Sequence, residues 1–114
     1  MMLVQNTYAV NQIHLNTYEL GSPGQPLIIF LHGFPEIGQA WYRQLQFFAD
    51  QGFYAVAPDQ RGYNLSSKPK EVKAYTLKYL TADIAGLIKQ LTPGKVYLAG
   101  HDWGGAVAWA MAFN

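Results

Sequence analysis

The chain contains no cysteine. That excludes disulfides, a thiol nucleophile and cysteine-ligated zinc or iron–sulfur sites. It is also short of charge: 13% of its 114 residues are charged, where ordinary globular chains carry about a quarter. A small domain has much surface for its volume and should be richer in charge, so part of its apolar surface is expected to meet further protein, a partner or a ligand. Eight basic residues stand against seven acidic ones, with no basic run, which excludes an electrostatic nucleic-acid binder. The longest apolar runs, Leu27–Leu31 and Ala106–Phe113, fall far short of the ~20 residues of a membrane helix. Met1–Asn6 has no basic n-region and no signal-length apolar core follows it, so a cytoplasmic protein is expected and the sequon Asn64-Leu65-Ser66 carries no weight. No P-loop, dinucleotide fingerprint or HExxH motif occurs, so neither cofactor nor metal is implied.

What is present is half hydrophobic, which excludes a disordered chain. Tyr8–Leu20 alternates imperfectly around a polar kink at Asn11-Gln12 and reads as two short antiparallel strands or one bent ribbon. Leu27–Leu31, Phe53–Ala57 and Val96–Ala99 are continuous apolar runs, the mark of strands covered on both faces in a parallel sheet. Between the first two, Trp41, Leu45 and Phe48 recur at helical spacing, with Gly52 placed as a C′ residue. Between the last two, Leu77, Leu80, Ile84, Leu87, Ile88 and Leu91 mark one helix face, which Pro93-Gly94 ends. Ala106–Phe113 is apolar all round and reads as a buried helix. The order β-β-β-α-β-α-β-α is that of an α/β fold: a mostly parallel sheet with flanking helices after an antiparallel entry. Such sheets bind ligands at the carboxyl ends of their strands.

Two turns lie on that edge, His32–Pro35 and Gly100–Gly105. In Gly100-His101-Asp102-Trp103-Gly104-Gly105 a strand turns directly into a helix, with small residues two positions before and after Asp102. This is the nucleophile-elbow pattern, with Asp102 where serine hydrolases carry serine. Asp102 would sit at a helix N-terminus, which favours a carboxylate. A carboxylate nucleophile suits attack at a saturated carbon bearing a leaving group, giving an alkyl ester that water must cleave. That second step needs a base and amide donors for an oxyanion. The donors expected are the amides of Trp103 and Phe34, with Gly33 and Pro35 fixing the Phe34 turn. His32 is expected to hydrogen-bond within that turn rather than act as the base, His101 to point away from the site and pack, and His14 to lie on a strand surface. Trp41 and Trp109 read as core, and the Trp103 ring as either pocket lining or packing. Asp59 and Arg61 read as an ion pair or loop brace.

Taken together, His32-Gly33-Phe34-Pro35-Glu36, Asp59-Gln60-Arg61-Gly62-Tyr63 and Gly100–Gly105 resemble the epoxide hydrolase branch of the α/β-hydrolase superfamily, from about Tyr8 onward. The resemblance implies an Asp102 nucleophile, an oxyanion hole of the Phe34 and Trp103 amides, a cis bond before Pro35, a small-molecule epoxide as substrate, a vicinal diol as product and no cofactor. Haloalkane dehalogenases share the Asp-Trp-Gly elbow, but many place Asn where this chain has Phe34. Fluoroacetate dehalogenases share the His-Gly-Phe-Pro turn but carry Arg where this chain has Trp103. Asn64 stands where the family often has Gly, a mild change because Asn tolerates a left-handed backbone. The family's relay acid, histidine, cap domain and cap tyrosines are expected beyond residue 114. Residues 1–114 are thus expected to form a partial hydrolase core that is inactive alone. A second reading is a non-catalytic truncated product that associates through Val96–Ala99 as an exposed apolar sheet edge.

Overall fold

A computed structural model describes residues 3–33, 36–92 and 94–112 of the chain. The entry ribbon is two strands, β1 (Val4–Val10) and β2 (Ile13–Leu20), in antiparallel register with Val10 opposite Ile13. Asn11 and Gln12 connect them, both at positive φ (46° and 65°), the signature of a type I′ hairpin turn. β1 reaches four residues further toward the N-terminus than side-chain alternation reveals, to Val4. Gln5, Asn6 and Thr7 are exposed on an outer strand, so ladder hydrogen bonds rather than burial hold them.

The remaining strands are β3 (Leu27–Leu31), β4 (Tyr54–Pro58) and β5 (Val96–Gly100). The sheet order is β1-β2-β4-β3-β5, with β3 parallel to both β4 and β5 and β2 antiparallel to β4. Helix α1 (Tyr42–Asp50), preceded by a 3-10 turn at Gly38–Trp41, links β3 to β4. Helix α2 (Leu77–Leu91) links β4 to β5, and α3 (Trp103–Ala112) follows β5.

Every residue of β3 and β4 is buried, because both sheet faces are covered. Leu27, Ile29, Leu31, Tyr54 and Val56 pack with Leu80, Ile84 and Leu87 of α2 and Val107 of α3. The alternate residues Ile28, Phe30, Ala55 and Ala57 face Leu45 and Ala49 of α1, with Trp41 against Phe30 at 4.9 Å between ring centroids. Helix α1 ends where the sequence places its stop. Gly52 has φ 91°, its N–H bonds the Ala49 carbonyl, and the Phe53 N–H bonds Phe48. This is a Schellman motif, and its hydrophobic contact is the edge-to-face pair of Phe48 and Phe53. Leu91 closes α2 as expected, while Pro93 lies outside the described residues.

Two expectations fail at the far edge. β5 is the exposed sheet edge that the second reading expects, but not the strand covered on both faces that its apolar run implies, since Tyr97 is exposed. Trp109 is 69% exposed rather than core, and of α3 only Gly104 and Val107 are buried among the described residues. The helix is apolar all round, but the sheet reaches just one side of it.

Candidate active site

The chain steps from β3 to β4 on one side and then crosses to place β5 on the other side of β3. The carboxyl ends of β3 and β5 therefore flank a switch point, where open α/β sheets form their binding crevice. Leu31 and Gly100 are partners across the ladder, so the turns leaving these strands start side by side. The His101 N–H extends the pairing by donating to the Leu31 carbonyl at 3.1 Å.

Asp102 follows with φ 56°, a conformation that costs an L-residue energy and that clusters at functional sites. The sharp turn is closed by the Gly104 N–H on the His101 carbonyl, 2.9 Å. The glycines explain how two turns fit in this space. A Cβ on Gly104 would come within 2.1 Å of the Leu31 oxygen, and one on Gly100 within 2.3 Å of the Gly104 oxygen. A Cβ on Gly33 would meet the Asp102 Cβ at 2.5 Å and its Oδ2 at 2.9 Å, so the turn after β3 lies directly against the carboxylate. Phe34 and Pro35 lie outside the described residues. Trp103 opens α3, so its amide belongs to the first turn, whose N–H groups have no carbonyl partner within the helix.

His32 is buried. Its Nε2 accepts the Gln60 backbone N–H at 2.9 Å, and Nδ1 lies 3.0 Å from the Gly33 carbonyl. Burial pulls its pKa below the ordinary imidazole value, partly offset by the Gly33 carbonyl and by the charges of Asp59 and Glu36. With both nitrogens engaged, this ring is not placed to accept a proton from water.

His101 does not pack into the core. Its side chain is exposed, with Nδ1 3.3 Å from Glu36 Oε1, and the pair borders a cavity of about 220 Å³ with Trp41 and Gln44. It is not among the residues that line the groove described below. His14 is exposed on β2.

The loop after β4 contributes what the sequence reading left as a brace. Asp59 is buried and accepts the Gly38 N–H, Asn16 Nδ2 and Asn64 Nδ2 at 2.8, 2.8 and 3.0 Å. It braces the loop, but it does not pair with Arg61. Arg61 reaches instead to Asp83 on α2, bidentate at 2.9 Å through Nε and one terminal nitrogen, and donates to the Ala74 carbonyl. Asn11 of the hairpin turn donates to the same carboxylate. Arg61 needs a partner that the chain supplies 22 residues later, and Asp83 is the one charged residue of α2 among its buried positions Leu80, Asp83, Ile84 and Leu87.

Tyr63 was not singled out in the sequence. Its ring stands edge-on to His32 at 4.6 Å, and burial together with the Asp102 charge pushes its phenol pKa up. Tyr63, Gln60, Tyr75, Leu80 and Trp103 line a groove of about 380 Å³, so Trp103 borders a groove rather than the core. The available signal was position: Gln60 and Tyr63 leave the carboxyl end of β4, on the edge where both glycine turns lie.

The family model for the alpha/beta hydrolase fold matches residues 26–113. An AB hydrolase superfamily protein of Bacillus subtilis, YfhM, is 49% identical over 102 residues, which cover 90% of this chain and 36% of that protein. Epoxide hydrolase A of Mycobacterium tuberculosis is 43% identical over 99 residues, 87% of this chain and 31% of that protein. The crystal structure of epoxide hydrolase A from Mycobacterium thermoresistibile superposes with a TM-score of 0.94 at 39% identity, covering 97% of this chain and 35% of that one. The chain thus spans about a third of the length of the relatives it matches.

Proposed function

The chain belongs to the alpha/beta hydrolase fold family, and from that premise we propose that residues 1–114 carry the nucleophile and oxyanion hole of an epoxide hydrolase. The observation that carries the reading is the Asp102 carboxylate, held at positive φ on the strand-to-helix turn and packed against Gly33. A carboxylate oxygen attacks an epoxide carbon, the ester C–O bond forms and the ring C–O bond breaks. The ring oxygen leaves as an alkoxide and takes a proton. Water then adds to the Asp102 carboxyl carbon, the amides of Trp103 and Phe34 hold the oxyanion, and collapse releases the vicinal diol and restores the carboxylate.

The proton donor for the alkoxide and the base for the water are not among the histidines of this chain. His32 has both ring nitrogens engaged, His101 pairs with Glu36 and His14 lies on β2. Residues 1–114 alone are expected to give no turnover. The test is diol formation from an aryl epoxide by the intact gene product. Asp102→Ala is expected to lower the rate by on the order of 10⁴-fold or more. An active Asp102→Ala variant removes the nucleophile assignment, and halide release from haloalkanes in place of diol identifies a dehalogenase.

A second reading concerns the far edge. β5 and α3 line an apolar groove of about 560 Å³, with Tyr97 and Trp109 on its walls, and this face associates with another chain when left uncovered.

A further inference from the structure

We infer that His32 is a positioning residue that works as a neutral imidazole with its proton fixed on Nδ1, and that this tautomer sets the turn which carries the proposed oxyanion amide. The geometry determines the tautomer from both ends of the ring. The Gln60 backbone N–H can only donate, and it lies 2.9 Å from Nε2, so Nε2 carries no proton. The Gly33 carbonyl can only accept, and it lies 3.0 Å from Nδ1, so Nδ1 carries one. A charged imidazole would set Nε2–H against the Gln60 N–H and lose that bond.

The Gln60 side chain grips the same residue a second time. Its Nε2 donates to the His32 carbonyl at 2.8 Å. That fixes the amide orientation, because a flipped amide would put two acceptor oxygens together. The cost is visible: Gln60 Oε1 is buried and has no hydrogen-bond partner among the described residues. A buried acceptor left unsatisfied is tolerated where the other contacts of the group over-determine it. The loop after β4 therefore holds His32 by ring and by backbone, and the Tyr63 ring packs edge-on against it.

The consequence passes through the Gly33 carbonyl, which accepts from His32 Nδ1 and also from the Glu36 N–H at 2.8 Å. Gly33 is also the residue packed against the Asp102 Cβ, so residues of the loop after β4 act through His32 on the turn that lies against Asp102. The titratable groups facing the ring are Asp59 at the end of β4, Glu36 beyond the turn and Tyr63 of the loop. The two carboxylates favour the charged ring, and burial opposes them.

The catalytic half of this inference rests on the proposed function, but the tautomer does not, and the two are read separately. Long-range ¹H–¹⁵N correlation spectra of the ¹⁵N-histidine-labelled chain, with His32 assigned by comparison with His32→Gln, are expected to show a protonated Nδ1 and a bare Nε2 at pH 7. An Nε2-protonated ring or an imidazolium at that pH overturns the inference, whatever the activity. In the intact gene product, His32→Leu is expected to lower kcat for diol formation by about 10²-fold with little change in KM, and His32→Gln to recover part of the loss. A His32→Leu enzyme with undiminished kcat also overturns it. If the unaltered enzyme makes no diol, the proposed function fails and the spectrum alone decides the role of His32.

Discussion

Adjacent glycines at the elbow do opposite work. A Cβ on Gly104 would meet the Leu31 oxygen at 2.1 Å and the His32 oxygen at 2.5 Å, both backbone, whereas one on Gly105 would meet nothing nearer than 3.6 Å. Gly104→Ala is therefore expected to cost about 1–3 kcal/mol or more. Gly105→Ala, inside α3, should stabilise by about 0.5–1 kcal/mol, because alanine loses less backbone entropy in a helix. Urea unfolding of the two variants checks the sign of each. His32 makes a second prediction at this scale. Its folded-state pKa is depressed by burial below the ordinary 6.5, so the folded state binds less proton than the unfolded state. The stability this gives is complete above pH 6.5 and is lost as the pH falls through the lower, folded-state value. The pH dependence of the urea midpoint should flatten in His32→Gln between pH 6.5 and that lower value.

Arg61 and Asp83 tie the loop after β4 to α2, and Asn11 adds the hairpin turn to the same carboxylate. Burial raises the Asp83 pKa, and Arg61 and Asn11 draw it back down. Removing one partner strands the other as a buried charge, so Asp83→Ala should cost about 3–5 kcal/mol, and Arg61→Met with Asp83→Leu together distinctly less than the sum of the two single changes. Thermal unfolding of the two single variants and the double variant measures the difference. Elements that bury one face or two were legible in the sequence: β3 and β4 from continuous apolar runs, α2 from its 3.6-residue stripe, and α1 from its spacing and Gly52. The Asp102 turn was legible because close backbone passage demands glycine at Gly100 and Gly104. What was not legible depends on tertiary partners. Polar β1 residues give no periodic signal, the partner of Arg61 lies on a different element, and the exposure of Trp109 depends on what stands beyond β5.

Across the whole molecule the scarcity of charge has a location. The faces that α1, α2 and α3 cover are dry, and the β5–α3 flank carries exposed Tyr97 and Trp109. Charge introduced there should oppose edge-to-edge contact, so Trp109→Lys is expected to lower the concentration-dependent light scattering of the 114-residue chain while leaving its circular dichroism unchanged. The same sheet has a kinetic consequence. The two turns of the site hang from one rung, Leu31 opposite Gly100, whose partners stand about seventy residues apart in the sequence. Closing so long a loop is slow, and β3 can pair with β4 before β5 arrives. The Asp102 carboxylate and the His32–Gly33 turn therefore meet only when that last crossover docks. A carboxylate placed this way gains its position against the His32–Gly33 turn only in the completed fold, so no partly folded form holds the two together.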